Sequence, residues 1–466
     1  MYINNYLCVY KKKYEKRFGD DMNVQELYKQ KLRMPQEAVR IVKNGDWIDY
    51  SQVCSFPQAL DRALAERGGE LEDVKIRNAI SCCPVQVVEQ DKAQQSFTYN
   101  LWHCSSLDRV YLDTNRAFHS PMAFRNCGSY YSRGMAPVNV AMITVASMDK
   151  QGNFSYGLTN CCQQEVLDAA DHIILEVNPN MPVIYGMAND HIHISDVEYV
   201  VESNVSLCTA PGRSATELDR KIAENIFPYL YDGMNLQLGI GGIPNALGEL
   251  IAASDLKDLG MHTELMSDGY LELYKAGKIT NKRKNLQRHK GVFSICLGST
   301  ELYKFLHCNQ DVLSAPMSYV NNPEVIRQLD NFVSINGCIA VDLYGQVSSE
   351  SSGIRHISGT GGQLDFVTGA YMATEGKAFL TMTSMHVDKH GCKHSHVVPR
   401  FTAGDIITTP RTQAPYLVTE YGVAHLSGLT TWQRAEALIS IAHPDFREEL
   451  IQSAEVQGIW RKSNKK

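Results

Sequence analysis

The chain has 466 residues, 44% of them hydrophobic and 21% charged, with a formal net charge of −6. That balance is ordinary for a globular protein and leaves no basic surplus with which to neutralise nucleic-acid phosphates. No apolar run approaches the roughly 20 residues that a bilayer span needs; the longest, Val138 to Met148, is broken by Asn139 and Thr144.

In the first 21 residues a weak apolar patch precedes the basic run Lys11-Lys12-Lys13, the reverse of a secretory signal, and no small-residue cleavage site follows. They read as a tail, or an over-extended start, ahead of Met22. The 13 cysteines include the adjacent pairs Cys82-Cys83 and Cys161-Cys162 but no CxxC. Adjacent cysteines pair poorly with each other, so the usage points to a reduced, cytoplasmic chain.

Residues 24–70 place Leu27, Leu32, Ala38 and Ile41, then Leu60 and Leu64, at helical spacing around a short strand at Trp47 to Tyr50. From Val74 to Leu207 the pattern changes to brief β-rich runs, such as Gln86-Val87-Val88, Val138 to Val145 and His172 to Val177. The alternation with helix-like pieces predicts α/β layers around a largely parallel sheet. Turn residues from Cys208 to Ser214 mark a linker, after which Ser214, with Glu217 as its capping-box partner, predicts a helix from Thr216 to Phe227. Two α/β halves, 22–212 and 213–466, follow from the ceiling of about 250–300 residues on a single core. No sequence repeat relates them.

The second half opens on the most informative stretch. An apolar run from Met234 to Leu238 stops at Gly239-Ile240-Gly241-Gly242, Pro244 opens a helix-like segment, and a second run from Met261 to Met266 carries Glu264. A glycine loop feeding a helix N-terminus presents N–H groups to a phosphate or an oxyanion, and a β-α-β unit brings the ends of both strands to one crevice. The loop is no dinucleotide fingerprint, because Pro244 stands where a third glycine should be, and no P-loop lysine follows. Further strands are expected at Val292 to Leu297, Phe332 to Ile335, Ile339 to Leu343 and Ala378 to Met382.

A second glycine loop, Ser358-Gly359-Thr360-Gly361-Gly362, precedes another helix-like segment. Two such cradles in one half suggest a long anionic ligand with an acyl end to polarise. Glu264 stands out from Glu350 and Glu420 by ending an apolar strand beside the first cradle, where a carboxylate can act as base or covalent nucleophile. His390 to His396 looks superficially like a metal site, but its Gly- and Lys-containing run without a partner cluster reads as a solvated hairpin. The pair His191 and His193 reads as packing near a strand, and the five basic residues from Lys282 to Lys290 as a solvated face. No GxSxG elbow is present, against a serine thioesterase.

The stretches GIGGIPNALG at 239–248, HTELMSDG at 262–269, SGTGGQLDFVTGA at 358–370, VTEYG at 418–422 and RAEALISIAHPDFR at 434–447 resemble the acetyl-CoA hydrolase/transferase family. VNVAMITVASMDKQGNFSYG at 138–157 and EVNPNMP at 176–182 match it too. The chain looks most like that family's CoA-transferases for butyrate and 4-hydroxybutyrate, and the likeness runs from Met22 to Ser463. It implies two open α/β domains of the NagB/RpiA/CoA-transferase-like kind in a homodimer. It also implies acyl-CoA and short-chain carboxylates as substrates, CoA as a co-substrate rather than a resident cofactor, and no metal. Glu264 falls on the family nucleophile. Ile240, Gly361 and Gly362 fall on the oxyanion hole, and Gly239, Ile240, Gly241, Gly242, Ile243, Asn336, Gly359, Gln363 and Ser384 fall on CoA contacts. A thioester hydrolase with the same nucleophile and a non-catalytic CoA-binding module are the alternatives.

Overall fold

The computed structural model describes residues 23–187, 189–210, 212 and 214–463. The expectation for the first 21 residues therefore lies outside the described part. Two sheets organise the chain. The first contains β1 (Trp47–Gln52), β2 (Val74–Ala79), β3 (Phe97–Leu101), β4 (Phe118–His119), β5 (Val138–Val145), β6 (Ala170–Val177) and β7 (Tyr199–Glu202), in the order β4-β3-β2-β1-β5-β6-β7. All its pairs are parallel. Such strands are covered on both faces, which is why Val138–Val145 reads as a near-continuous apolar run.

The second sheet contains β8 (Asn235–Leu238), β9 (Gly260–Met266), β10 (Gly291–Cys296), β11 (Val312–Ser314), β12 (Phe332–Gly337), β13 (Lys377–Thr381), β14 (Tyr416–Thr419) and β15 (Gly422–His425). Its order is β11-β10-β9-β8-β12-β13-β14-β15, parallel except for the closing β14–β15 hairpin. In each half the first strand sits in the middle, three more extend to one side, and the chain then returns to the other side. The halves share this strand order although no sequence repeat links them, because packing of a parallel sheet constrains the pattern of apolar positions far more than their identity. The reversal between β8 and β12 creates a crevice at the carboxyl ends of those strands.

Main-chain bonds lace the halves together: Asn160 N–H donates to Ser294 C=O (2.9 Å), Cys296 N–H to Leu158 C=O (2.8 Å) and Met317 N–H to Cys161 C=O (2.7 Å). One apolar core runs through both, from Phe154 and Leu175 to Leu236 and Phe293. No helix among the described residues is long and apolar enough to cross a membrane.

Three local expectations are corrected. Gln86-Val87-Val88 is not a strand but opens a short helix, Gln86–Gln90. The buried carboxylate of Asp61, on the helix α1 (Gln58–Ala65), accepts from the N–H groups of Gln86 (2.6 Å) and Val87 (3.3 Å) and so caps that turn from a distance. The cap of the helix α2 (Glu217–Ile226) is Thr216 with Asp219, two residues beyond Ser214 and Glu217. The basic run 282–290 is not wholly solvated. Lys282 and Arg283 pair with Asp258, but Lys284 turns inward and donates to the carbonyls of Met261 (2.8 Å) and Lys290 (2.7 Å), and burial pulls its ammonium down to about 7. The hairpin expected at 390–396 is present, pairing Met385–Val387 with Lys393–Ser395.

Removing the Asp61 carboxylate orphans two N–H groups, one of them on buried Val87. Asp61→Ala is expected to lower the free energy of unfolding by about 2–3 kcal/mol in urea titrations, and Asp61→Asn, which keeps an acceptor oxygen, by less.

Candidate active site

At the crevice, β8 leaves the sheet. Gly239 N–H still donates to Ile335 C=O on β12 (2.9 Å), and the chain then turns through Gly241, whose φ of +127° favours glycine, into the helix α3 (Gly242–Ala253). On its other side β8 pairs with β9 at Asn235↔Gly260 and Leu236↔Met261. Beyond that point the Tyr270 hydroxyl stands between the strands, accepting from Leu238 N–H (2.7 Å) and donating to Leu236 C=O (3.3 Å). This wedge spreads the strand ends that flank the cavity.

Glu264 lies on β9, partly exposed to the cavity but surrounded by protein densely enough to lose most of its hydration. Burial pushes its carboxyl up to about 7; the Asn321 amide, which donates to Oε2 (2.5 Å), opposes the shift, and the nearby Asp365 carboxylate adds to it. Asn321 follows the short helix α4 (Met317–Val320), and His262, two residues before Glu264, holds that helix: its Nε2–H donates to Val320 C=O (2.8 Å). Burial pulls His262 down to about 3, so the imidazole stays neutral and acts as a fastener.

The second glycine loop closes over the carboxylate. Glu350 C=O accepts from Ile357 N–H (2.7 Å) and Ser358 N–H (3.1 Å), and the Glu350 side chain accepts from the Thr360 hydroxyl (3.1 Å). Gly361 C=O accepts from Phe124 N–H of the first half (3.2 Å), and Asp365, on the helix α5 (Gln363–Met372), accepts from Arg125 N–H (3.1 Å) and pairs with the Arg125 guanidinium. Gln363 ties the loop down, donating to Gly337 C=O (2.7 Å) and accepting from the Ser349 hydroxyl (2.8 Å). A Cβ added at Gly362 would overlap both Glu264 Oε2 and Asn321 Nδ2. Gly362 itself has an ordinary φ of −96°, so glycine is needed here for space and not for conformation.

The resulting cavity of about 270 Å³ brings together Gly239, Ile240, Glu264, Asn336, Gly359, Gly361, Gly362 and Gln363. Gly241, Gly242 and Ile243 lie at the start of α3, off its wall. Ser384 is elsewhere: it is buried, and its N–H and hydroxyl donate to the Glu420 carboxylate (2.9 and 2.5 Å). Sequence reasoning missed Asn321, Asp365, Gln237 and His103. The asparagine stands in an ordinary Asn-Asn-Pro turn with no local signal. Gln237 alternates with the apolar residues of β8 and shares hydrogen bonds with Asn336 (3.0 and 3.1 Å), a polar floor that its period could have suggested. Chemically, a carboxylate of raised basicity faces two glycine turns in a wall that also holds Ile80, Leu265 and Phe366. Such a group suits attack on a carbonyl whose developing oxyanion meets main-chain N–H groups.

Residues 16–209 match the acetyl-CoA hydrolase/transferase N-terminal domain and residues 298–454 match its C-terminal domain. The chain is 45% identical to the butyryl-CoA:acetate CoA-transferase of Anaerostipes caccae, over 95% of this chain and 100% of that one. It is 38% identical to the 4-hydroxybutyrate coenzyme A transferase of Clostridium kluyveri, over 92% and 98%. The crystal structure of RipA from Yersinia pestis superposes with a TM-score of 0.86 at 32% identity, covering 94% of this chain and 100% of that one.

Two outcomes follow from the packing of Glu264. A carboxyl raised in the folded state is neutral in both states below its unfolded value near ~4.3, and it weakens folding as pH rises through that value towards 7, where the penalty is complete. Glu264→Gln is therefore expected to unfold at nearly the native free energy at pH 4 and to exceed it at pH 8 by on the order of 3 kcal/mol, read from urea titrations at each pH. Gly362→Ala is expected to keep the fold, by circular dichroism, and to cut CoA-transfer turnover by about 100-fold or more, because the carboxylate must leave its position.

Proposed function

The chain belongs to the acetyl-CoA hydrolase/transferase family, and on that premise we propose that it is a CoA-transferase moving CoA between acetate and a four-carbon acid, butyrate before 4-hydroxybutyrate. The observation that carries the proposal is the Glu264 carboxylate, desolvated, raised to about 7 and set against the Gly361-Gly362 turn in the cavity. A Glu264 oxygen attacks the thioester carbonyl of butyryl-CoA, and the oxyanion is met by N–H groups of Ile240 and of the Gly361-Gly362 turn. The C–S bond breaks, CoA thiolate leaves, and a butyryl-glutamyl anhydride remains. The thiolate then attacks the Glu264 carbonyl, which expels butyrate and leaves a glutamyl-CoA thioester. Acetate attacks that thioester to give an acetyl-glutamyl anhydride and free thiolate, and the thiolate takes the acetyl group, regenerating the carboxylate. No proton moves and the thioester energy is kept, provided water stays out.

CoA reaches the carboxylate past Gly239 to Ile243, Asn336, Gly359 and Gln363 in this scheme. Ser384, which the resemblance puts among the CoA contacts, lies off the cavity wall and is placed to orient Glu420. The preference for butyrate is supported by the higher identity to the butyryl-CoA:acetate enzyme and by Ile80, Leu265 and Phe366 in the cavity wall. A homodimer in the cytoplasm is the setting the family resemblance implies.

Protein incubated with butyryl-CoA and then borohydride is expected to carry a reduced side chain at Glu264 and at no other glutamate, by peptide mass spectrometry. Release of CoA from butyryl-CoA is expected to depend on added acetate; full-rate release without a carboxylate acceptor would make the chain a hydrolase, and unaltered turnover in Glu264→Ala would remove the covalent route.

A further inference from the structure

Beside the second glycine loop, at Gly359, three side chains of metal-binding type arrive from separate segments. Cys104 follows β3, His119 ends β4, and His356 stands two residues before Ser358. One ligand atom from each lies within 4.8 Å of the other two, a modest closure away from the ~3.3–3.8 Å edges of a tetrahedral zinc site. The rings of His119 and His356 are 4.3 Å apart, and the Nε2 atoms of both are buried without a hydrogen-bond partner. Buried polar atoms without partners are costly, so two unpartnered imidazole nitrogens in one cluster with a thiol suit a shared ligand.

The chemistry of the surroundings suits a cation. The Asp108 carboxylate is a negative neighbour of Cys104, with Arg109 a positive one. Glu350 also acts on Cys104 and His356 as a negative neighbour. His103 adds a further buried, unpartnered Nδ1 next to the group, while its Nε2 shares a hydrogen bond with the Ser358 hydroxyl (3.2 Å). The loop packs directly on these rings: a Cβ at Gly359 would come to 3.0 Å from His119 Nε2.

We propose that Cys104, His119 and His356 form a binding site for a borderline-soft divalent cation of the zinc type, which clasps the first half of the chain to the segment carrying the oxyanion loop. A mixed thiolate and imidazole donor set selects such an ion over magnesium or calcium. On binding, the Cys104 S–H bond breaks, its proton goes to solvent, and a sulfur–metal bond forms; the imidazoles enter neutral, so one proton is released per cation and nothing is oxidised or reduced. The clasp is separate from the reaction at Glu264 and does not rest on it. It also differs from the buried thiols of Cys127, Cys161 and Cys162, which form a second close group elsewhere in the first half.

The test uses the full chain, stripped with a chelator and titrated with Co²⁺. One equivalent is expected to bind with a near-ultraviolet thiolate-to-cobalt charge-transfer band, to be displaced by Zn²⁺, and to raise the thermal midpoint. Cys104→Ser is expected to lose the band, His356→Gln to weaken Co²⁺ binding by about tenfold or more, and Cys127→Ser to keep both band and affinity. Absence of the band in the native protein, its survival in Cys104→Ser, or its loss in Cys127→Ser overturns the proposal. Should Cys104→Ser fail to fold, unchanged Co²⁺ affinity in both His119→Gln and His356→Gln overturns it as well.

Discussion

The approach of the Glu264 carboxyl to the backbone of Gly362 is the contact on which the rest of the structure depends. A carboxylate raised towards neutrality has to be stripped of water and yet left open to a substrate, and those demands conflict unless the covering groups are backbone. Gly362 meets both, because a chain segment without a side chain can lie against the carboxyl where any Cβ would displace it. Asn321 supplies a hydrogen bond that holds the Glu264 carboxyl, and His262 fixes Asn321 through Val320.

The fold is arranged to bring that loop to that strand. Glu264 and the first glycine turn belong to the adjacent strands β9 and β8, β8 borders the point where the sheet order reverses, and Tyr270 fills the gap between β8 and β9. The second glycine turn comes from far along the chain and is held from the opposite side by Phe124 and Arg125 of the first half. The first half thus contributes more than a wall. The turn Phe124–Asn126, just after the edge strand β4, is the support that holds the loop.

Buried ionisable groups recur as fasteners in this molecule. Asp61 caps a helix on another segment, Glu176 accepts from the N–H groups of Ala59 and Leu60 at the start of α1, and Lys284 gathers two carbonyls. Each would be costly if left alone, and each is satisfied by main-chain partners outside its own helix or turn, so its value lies in specifying how loops close and less in net stability.

The sequence by itself determined the α/β class, the two glycine loops, a hairpin around 390–396 and the candidacy of Glu264, because period, glycine placement and motif order are local properties that survive without coordinates. It misread Gln86-Val87-Val88 and Lys284, since a short run with two β-branched residues and a lysine in a basic stretch look the same whether or not a distant carboxylate or carbonyl awaits them. Only the tertiary structure decided that Asn321 and Asp365 attend Glu264, that Ser384 serves Glu420, and that Cys104, His119 and His356 meet. Those relations join residues from different strands and halves, and no spacing along the chain encodes a distance that the packing of two sheets creates.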